Sequence, residues 1–285
     1  MSTVFLNNEY IPANEAKISP MDRGFLFGEG IYEVIPCYQG QFVGLQPHLK
    51  RLFDGLKALE ISSPLTTEEW GDLCKKLVSL NEGDNQGIYI QVTRGSAPNR
   101  HHAFPKDTVP TIFAFTFEIP AVPMPDKQSV TAYKVSSEQD LRWKRCQIKS
   151  TALLGNVLHF QHGVREGNKE TILFNQHNEL TEASSSNVFI VKDKVIVTPP
   201  LDNQILPGVT RHILLNVLRE HSDFIIEERV ITHQEVLDAD EVWLTSSTKE
   251  VAPVIKIGEH WVASGQVGDI WLKAQTLFSQ YKYLY

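Results

Sequence analysis

The lysine in the segment IKS, residues 148–150, is a candidate for covalent chemistry. It follows a segment typical of a strand and precedes an apolar helix, and lysine side chains rarely point into such packed junctions. An amine that is withdrawn from water becomes a nucleophile towards carbonyl carbons. The same pattern also describes a solvated lysine at the end of a strand, which is the commoner case, so Lys149 needs support from other segments.

Three segments rich in small hydroxyl residues offer polar groups to an anion. TEASSSN at 181–187 contains the carboxylate of Glu182 and precedes an apolar strand, LPGVTRH at 206–212 opens a helix, and LTSST at 244–248 ends a strand. Backbone N–H groups of such loops and of a helix N-terminus can hold a phosphate. Each segment alone equally describes an ordinary turn or cap, because Ser, Thr and Asn favour those positions.

Two arginine-bearing segments could bind an anion as well. In HLKR, residues 48–51, Arg51 points away from the apolar stripe of its helix and faces either water or a site. The segment RGSAPNRHHAFP at 94–105 reads as a loop between two strands, and its arginine and histidine side chains suit a carboxylate. A polar hairpin loop is the alternative. Carboxylates and cysteines are missing at ligand spacing, so we expect no metal site.

Composition limits the class of protein. The 285 residues carry a formal charge of −7 and are 42% hydrophobic, as in soluble globular proteins. The acidic balance and the lack of basic runs interleaved with aromatic residues argue against nucleic-acid binding. No apolar stretch approaches membrane-spanning length. Three widely spaced cysteines predict free thiols, and the N-terminal residues do not resemble a signal peptide, so we expect a cytoplasmic protein.

The elements that must position these residues alternate between strands and helices, which predicts a mixed α/β or α+β fold. The N-terminal part contains predicted strands at 3–6, 41–45, 88–93 and 113–117, a helix from Pro47 to about Glu60, and a helix that Thr66 and Glu69 begin as a capping box. The glycine-rich GEGIY at 28–32 leads into a strand and is no dinucleotide fingerprint.

The proline-rich segment 120–127 indicates a domain boundary, because it suits neither a helix nor a central strand. We therefore predict an N-terminal domain of residues 1–120, a linker at 121–127 and a C-terminal domain of residues 128–285. Predicted elements of the second domain are strands near 129–135, 170–175, 187–192, 194–198 and 241–247, and helices near 150–166, after Gly208, after Thr232 and over 267–281.

The order of the segments carries more information than any one of them. DRGFLFGEGIYEV, HLKRL, RGSAPNRHHAFP, RCQIKS, LTEASSSNVF, LPGVTR and LTSST follow each other as in fold-type IV enzymes, which use pyridoxal 5'-phosphate (PLP). The chain resembles that family from about residue 3 to about residue 280. Its members include branched-chain aminotransferases, D-amino-acid aminotransferases and aminodeoxychorismate lyase. The R-x-H of Arg100 and His102 is similar to the D-amino-acid branch.

The resemblance implies a role for each matching residue. Lys149 matches the lysine that holds PLP as a Schiff base, and Glu182 matches the acid at the pyridine nitrogen. The positions that match phosphate or cofactor contacts are Arg51, Ser186, Asn187, Val209, Thr210, Ser246 and Ser247. Those that match the substrate carboxylate trap are Tyr32, Arg100 and His102, of which the last two would reach across a homodimer interface.

The resemblance also implies the fold and the activity. We expect a smaller N-terminal α/β domain and a larger C-terminal domain with a mixed, barrel-like sheet. The expected reaction is transamination between a D-amino acid such as D-alanine and a 2-oxo acid, either pyruvate or 2-oxoglutarate. Four alternatives stay open: a branched-chain L-amino-acid aminotransferase, an (R)-amine aminotransferase, aminodeoxychorismate lyase, and a protein that binds PLP without turnover.

Overall fold

The computed structural model describes residues 2–285, which group into two compact units. The first unit contains the chain up to Ala121 together with Ile148–Leu153, and the second contains Val122–Gln147 and Leu154–Tyr285. The first change of unit falls at the segment predicted to be a linker. The short segment around Lys149, which the sequence placed in the second domain, groups with the first unit instead.

The first unit is built on an antiparallel sheet. Its strands are β1 (Thr3–Leu6), β2 (Glu9–Pro12), β3 (Gly30–Tyr38), β4 (Gln41–Phe42), β5 (Asn85–Thr93) and β6 (Thr111–Glu118). They lie in the order β2-β1-β6-β5-β3-β4. Its α-helices are α1 (Arg23–Phe27), α2 (Leu45–Ala58) and α3 (Thr67–Ser79).

Two amphipathic helices cover this sheet. The stripe of α2, including Leu49, Leu52 and Leu56, is fully buried against apolar side chains of β3 and β5. Helix α3 begins at the predicted capping box, in which Thr66 accepts from the backbone of Glu69 and the Glu69 carboxylate accepts from Thr66. The packing fixes β3, the strand that carries Tyr32, from one side of the sheet.

The segment Ile148–Leu153 runs beside the first residues of β3. The backbone N–H of Tyr32 donates to the carbonyl of Lys149 at 3.0 Å, and the N–H of Thr151 donates to the carbonyl of Gly30 at 2.9 Å. These two bonds flank Ser150, the residue that follows the lysine, in an antiparallel bridge with Ile31. The position of Lys149 is therefore set by strand pairing and not by a helix.

The second unit contains a mixed, curled sheet. Its strands are β7 (Tyr133–Gln139), β8 (Thr171–Phe174), β9 (Leu180–Ala183), β10 (Asn187–Lys192), β11 (Val195–Thr198), β12 (Ile225–Glu228), β13 (Glu241–Ser246), β14 (Glu250–Ile257) and β15 (His260–Trp261). The order is β12-β11-β10-β13-β14-β7-β8-β9, with β15 beside β14. Parallel pairs join β7 to β8 and to β14, and β11 to β12.

Helices α4 (Leu154–Arg165), α5 (Val209–His221), α6 (His233–Leu237) and α7 (Asp269–Tyr281) complete this unit. One buried apolar cluster lies against the sheet and includes Val188, Val242 and Leu244. Helix α6 begins at the second predicted capping box, Thr232 with Glu235. Across residues 2–285 no helix combines the length and apolar character that crossing a membrane requires.

Several predicted boundaries were wrong, each for a local reason. The strand predicted at 41–45 stops at Phe42, because Gly44 adopts a left-handed backbone and serves as the N-cap of α2. That helix consequently begins before Pro47. The helix predicted near 150–166 begins at Leu154, since the preceding residues pair with β3. The elements α1, β2, β9, β12, β14 and β15 were not predicted, and most of these are short or lack an alternating pattern.

Candidate active site

Lys149 lies beside an aromatic pair in the first unit. Its Nζ is 4.1 Å from the centroid of the Tyr32 ring, and that ring stacks on Tyr89 with 5.7 Å between centroids. The lysine side chain is half-buried. An ammonium over an aromatic face is attracted to the negative face of the ring. The aromatic pair therefore restricts where the amine of Lys149 can lie.

A buried carboxylate on β3 binds the arginine that the sequence singled out. Glu33 accepts from Nε of Arg51 at 2.7 Å and from its Nη2 at 2.8 Å, and its second oxygen also lies 2.7 Å from Nδ1 of His48. Although burial opposes ionisation, Arg51 and His48 hold the pKa of Glu33 well below its usual range. Burial lowers the pKa of His48, although the Glu33 carboxylate opposes this effect. The side chain of Arg51 thus faces neither water nor the apolar stripe.

The loop between β5 and β6 is attached to α1 by Arg23. Its guanidinium donates to the carbonyls of His101 at 2.6 Å and of His102 at 3.3 Å, and also to the carboxylate of Glu29. Arg94, at the start of the loop, donates to the same carboxylate at 2.8 Å. A Cβ built at Gly95 would lie 1.9 Å from the carbonyl oxygen of Val109, so only glycine fits at this turn.

The side chains of the R-x-H motif share one aromatic contact. The guanidinium carbon of Arg100 lies 4.9 Å from the centroid of the Phe27 ring, and the imidazole of His102 lies 5.5 Å from it. Both residues are exposed. Phe27 therefore orients the two groups that the sequence assigned to a substrate carboxylate.

Glu182 is the buried carboxylate of the second unit. One oxygen accepts from Nη1 of Arg142 at 2.5 Å, and the other accepts from the backbone N–H of Leu206 at 3.0 Å and from Nδ2 of Asn187 at 3.1 Å. An ionised carboxylate can accept about four hydrogen bonds, so these three donors leave room for one more. Asp140 holds Arg142 from its other side at 2.7 Å.

The environment of Glu182 sets two opposing effects on its charge. Burial raises the pKa of its carboxyl to about 7, against the attraction of the Arg142 guanidinium, which favours the ionised form. The carboxylates of Glu182 and Asp140 in turn raise the pKa of Arg142 despite its burial, so that the guanidinium stays charged. Glu182 is thus poised to ionise near neutral pH when a cationic or N–H partner approaches.

The segments 181–187 and 206–212 meet through Asn187. Its Nδ2 donates to the carbonyl of Leu206 at 2.9 Å, in addition to its bond with Glu182. A Cβ built at Gly208 would lie 2.0 Å from Oδ1 of Asn187, which explains the glycine before α5. Val209 and Thr210 are the first residues of α5, where backbone N–H groups point out of the helix.

The end of β13 carries two buried hydroxyls that face no partner. Within the described residues, neither Oγ1 of Thr245 nor Oγ of Ser246 has a hydrogen-bond partner, although both atoms are buried. Buried hydroxyls are rarely left unpaired, because the unmade bond costs about 1–3 kcal/mol. A bound acceptor would supply the missing partner for these two hydroxyls. Ser247 follows in the turn and is half-buried.

The predicted site residues therefore fall into groups within each unit. Tyr32, Arg51, Arg100, His102 and Lys149 belong to the first unit, and Ser186, Asn187, Glu182, Val209, Thr210, Ser246 and Ser247 belong to the second. The structure joins Lys149 to Tyr32, Arg100 to His102 through Phe27, and Asn187 to Glu182. Arg51 is engaged by Glu33, and its role as a phosphate ligand stays a prediction.

Sequence reasoning missed the residues that support these groups. Arg142, Thr245, Glu33 and Phe27 each contact a predicted residue or extend its group. Arg142 lies in the basic segment RWKR shortly before IKS, and Thr245 lies in LTSST, so these two had a readable signal. Among residues 2–285 no cluster of three His, Cys, Asp or Glu side chains could hold a metal ion.

Comparison with known proteins gives the family. The family described as "Amino-transferase class IV" matches residues 30–257. The D-alanine aminotransferases of Staphylococcus haemolyticus and of Staphylococcus epidermidis RP62A are each 39% identical over 284 residues, which cover 99% of this chain and 98% of each relative.

A solved structure gives the same fold. The branched-chain amino acid aminotransferase of Escherichia coli superposes with a TM-score of 0.91. The match covers 98% of this chain and 94% of that one at 21% identity, and at this identity it shows the fold alone.

The chain belongs to the class IV aminotransferases, the fold-type IV family of PLP-dependent enzymes. Each unit, taken by itself, carries groups that fit that cofactor. The first has a lysine amine for its aldehyde, and the second has a buried carboxylate with one acceptor position left for its ring nitrogen, together with unpartnered hydroxyls and a helix N-terminus for its phosphate.

Proposed function

We propose that this protein transaminates D-amino acids such as D-alanine, with pyruvate or 2-oxoglutarate as the 2-oxo acid. The observation that carries the chemistry is the buried Glu182, which is held by Arg142 and has one acceptor position left. The choice of D-amino acids is supported by two D-alanine aminotransferases that are 39% identical over nearly the whole chain. The R-x-H pair in the β5–β6 loop points to the same substrate class.

PLP, when bound, supplies an electron sink for the bonds at the amino acid Cα. We assign the covalent attachment of the cofactor to Nζ of Lys149. When it is free and neutral, that nitrogen would serve as the base that takes the proton from the substrate Cα and delivers it elsewhere than Cα, which requires a positioned amine. The ring of Tyr32 limits the positions open to this amine.

Glu182 would accept a hydrogen bond from the protonated ring nitrogen. A carboxylate at that nitrogen stabilises the positive charge that makes the cofactor an effective acceptor of electrons. Arg142 favours the ionised form of Glu182, while Leu206 and Asn187 fix the direction of its second oxygen. This arrangement positions the carboxylate before the cofactor nitrogen approaches.

The phosphate is assigned to the second unit. The first N–H groups of α5, at Val209 and Thr210, and the hydroxyls of Ser246 and Ser247 would bind its oxygens. The unpartnered hydroxyls of Thr245 and Ser246 support this assignment. Ser186 and Asn187 are assigned to the wall of the same site. Arg51 is retained as a ligand on the resemblance alone.

The substrate carboxylate is assigned to Tyr32, Arg100 and His102. A guanidinium matches the two oxygens of a carboxylate, and the imidazole adds a donor. Because the side of the cofactor on which the carboxylate lies decides which hand of amino acid is accepted, these residues would select D-amino acids.

A homodimer is part of the proposal. Helix α4 exposes an apolar stripe to solvent, in which Leu154 is 71%, Val157 56% and Leu158 60% exposed. Exposed apolar stripes of this kind mark protein interfaces. A second copy of the chain is the proposed partner, because the family resemblance brings Arg100 and His102 to the site of the other subunit.

The three free, buried cysteines in the described part of the chain support a cytoplasmic location.

Steady-state assays test the proposed function. The purified enzyme would be given D-alanine, L-leucine or (R)-1-phenylethylamine with 2-oxoglutarate, and D-alanine or aminodeoxychorismate without an acceptor. We expect repeated turnover of D-alanine only when the 2-oxo acid is present. Preference for L-leucine would indicate a branched-chain enzyme, preference for the amine an (R)-amine enzyme, and repeated release of pyruvate from aminodeoxychorismate without an acceptor a lyase.

Substitution of Glu182 tests the role that we assign to its carboxylate. E182Q keeps the size of the side chain but removes its charge, and we expect kcat to fall roughly a hundredfold. E179Q is the matched control, because Glu179 lies three residues away and bonds only Asn175 through its side chain among the contacts described. Equal activity of E182Q and E179Q would contradict the assignment.

A further inference from the structure

We propose that Lys249 is a positioning residue for the cofactor phosphate. Its ammonium connects the serines of TEASSSN to the turn that follows β13. The unpartnered hydroxyls of Thr245 and Ser246 lie at the end of that strand, next to the turn. The inference rests on the proposed function, since it concerns the phosphate site assigned there. Nothing in the sequence singled out this lysine, which reads as a solvated residue in a hairpin turn.

The anchor of this contact is Glu170, which has no exposed surface. Its carboxylate accepts from Oγ of Ser184 at 2.6 Å, from the N–H of Ser185 at 2.7 Å and from Oγ of Ser185 at 2.8 Å. The fourth donor is Nζ of Lys249 at 3.1 Å. Four donors fill the acceptor positions of a carboxylate. Glu170 therefore fixes the conformation of residues 184–186, which we call the serine loop.

The ammonium of Lys249 also uses all of its hydrogen-bond donors. Besides Glu170 it donates to Oγ of Ser185 at 3.2 Å and to Oγ of Ser186 at 3.0 Å. An ammonium has three donors, and these three acceptors use all of them. The side chain is 17% exposed, so the ion pair lies largely out of water. Pairs of this kind hold one geometry more firmly than solvated pairs do.

The turn that carries Lys249 is held from its other end as well. The N–H of Lys249 closes the turn on the carbonyl of Ser246 at 3.3 Å. The next residue, Glu250, has a left-handed backbone with φ of 54°. Its buried carboxylate binds Lys282 and accepts from Nε2 of Gln275 at 2.8 Å. The backbone of Ser246 therefore lies in a turn whose last residues, Lys249 and Glu250, both form largely buried ion pairs.

Lys249 also has an electrostatic effect. Without it, Glu170 would leave an uncompensated buried negative charge behind the serine loop, and such a charge would repel a phosphate bound in front of that loop. Lys249 thus serves both the geometry and the charge of the proposed site, without being assigned a contact with the phosphate itself.

Comparing PLP with pyridoxal, which lacks the phosphate, tests the inference. Apo-protein of the wild type, K249M and K249R would be titrated with each compound, and binding followed by absorbance. We expect K249M to weaken PLP binding roughly tenfold and to leave pyridoxal binding unchanged. K249R keeps the charge and should recover most of the PLP affinity. Circular dichroism of each apo-protein reports whether it has folded.

K256M is the matched control. Lys256 lies on β14 and also forms an ion pair at 3.1 Å, but with the fully exposed Glu259. We expect its affinity for both compounds to equal that of the wild type. If K249M does not fold, K249Q takes its place in the same comparison.

The outcomes separate the inference from the function on which it rests. Equal weakening of PLP and pyridoxal by the Lys249 variant would overturn the positioning role, because the effect would not involve phosphate. So would wild-type affinity for PLP in that variant. A wild-type protein that binds neither compound would overturn the proposed function together with the inference.

Discussion

Nζ of Lys149 lies 4.1 Å from the centroid of the Tyr32 ring, within reach of a cation–π contact. The backbone N–H of Tyr32 also donates to the carbonyl of Lys149, so the two residues are joined through both main chain and side chain. A lysine that must deliver a proton to one carbon benefits from such restriction.

Removing the Tyr32 ring should therefore slow the reaction. A cation–π contact contributes about 0.5–2 kcal/mol, so Y32L is expected to lower kcat roughly two- to thirtyfold. Y32F keeps the ring and should affect mainly KM through the lost hydroxyl. Y10L is the control. Nζ of Lys76 lies 4.5 Å from the centroid of the Tyr10 ring, so Y10L removes a similar contact that does not involve Lys149. A kcat for Y32L equal to that of Y32F would contradict the role of the ring.

Phe27 should influence substrate binding through the R-x-H pair. F27L removes the ring that contacts both Arg100 and His102, and the KM for D-alanine is expected to rise roughly three- to tenfold while PLP affinity is unchanged. F25L is a close control, since Phe25 lies on the same helix and is 77% exposed. If F25L and F27L gave the same KM, the ring contact would have no part in substrate binding.

Glu33 makes the stability of the protein depend on pH. Because Arg51 and His48 lower its pKa in the folded state, its stabilising contribution is complete above the usual glutamate pKa and is lost as the pH falls below it. E33Q, which breaks a buried pair, should cost about 3–5 kcal/mol at neutral pH and less in acid.

Urea denaturation at a series of pH values measures this effect. D54N is the control, because Asp54 lies on the helix that carries Arg51 and pairs with Lys50 in solvent. Its free energy of unfolding should follow that of the wild type. An E33Q deficit that stayed constant from neutral pH to about pH 3 would show that the charge of Glu33 is not responsible.

The thiols should be unreactive in the native protein. Cys37, Cys74 and Cys146 are buried, and burial raises the pKa of Cys74 and of Cys146 to about 12. Thiolate is the reactive form, so an aromatic disulfide reagent should label none of them until the chain is denatured. Denatured protein should then yield three equivalents. Fast labelling of a native thiol would contradict this burial.

Much of the fold was readable because its signals are local. The stripe of Leu49, Leu52 and Leu56 and the capping boxes at Thr66 and Thr232 depend on residues within one or two turns of chain. Elements set by distant partners were not readable. The segment around Lys149 becomes extended because it pairs with β3. The early end of β4 at Phe42 is a different case, because the left-handed Gly44 that causes it is close in sequence.

The sequence indicated which types of residue the proposed site would use, but not the contacts between them. Spacing and resemblance predicted Lys149 and Glu182, whereas the residues that contact them in the structure come from other segments. Arg142 is 40 residues from Glu182, and Lys249 is 79 residues from Glu170. A single sequence carries no record of such pairings, since many charged residues could form either of them. Arg51 shows the same limit, because its partner Glu33 lies on a strand and not on its own helix.

The half-reaction tests the central claim most directly. Wild-type protein loaded with PLP would be mixed with D-alanine or L-alanine without a 2-oxo acid, beside K149A and the control K144A, in which an exposed lysine five residues away is changed. We expect D-alanine to convert the absorption band of the lysine-bound cofactor into that of pyridoxamine phosphate in the wild type and in K144A, and K149A to lack the starting band. A K149A protein that kept this band and converted it with D-alanine would contradict the assignment of Lys149.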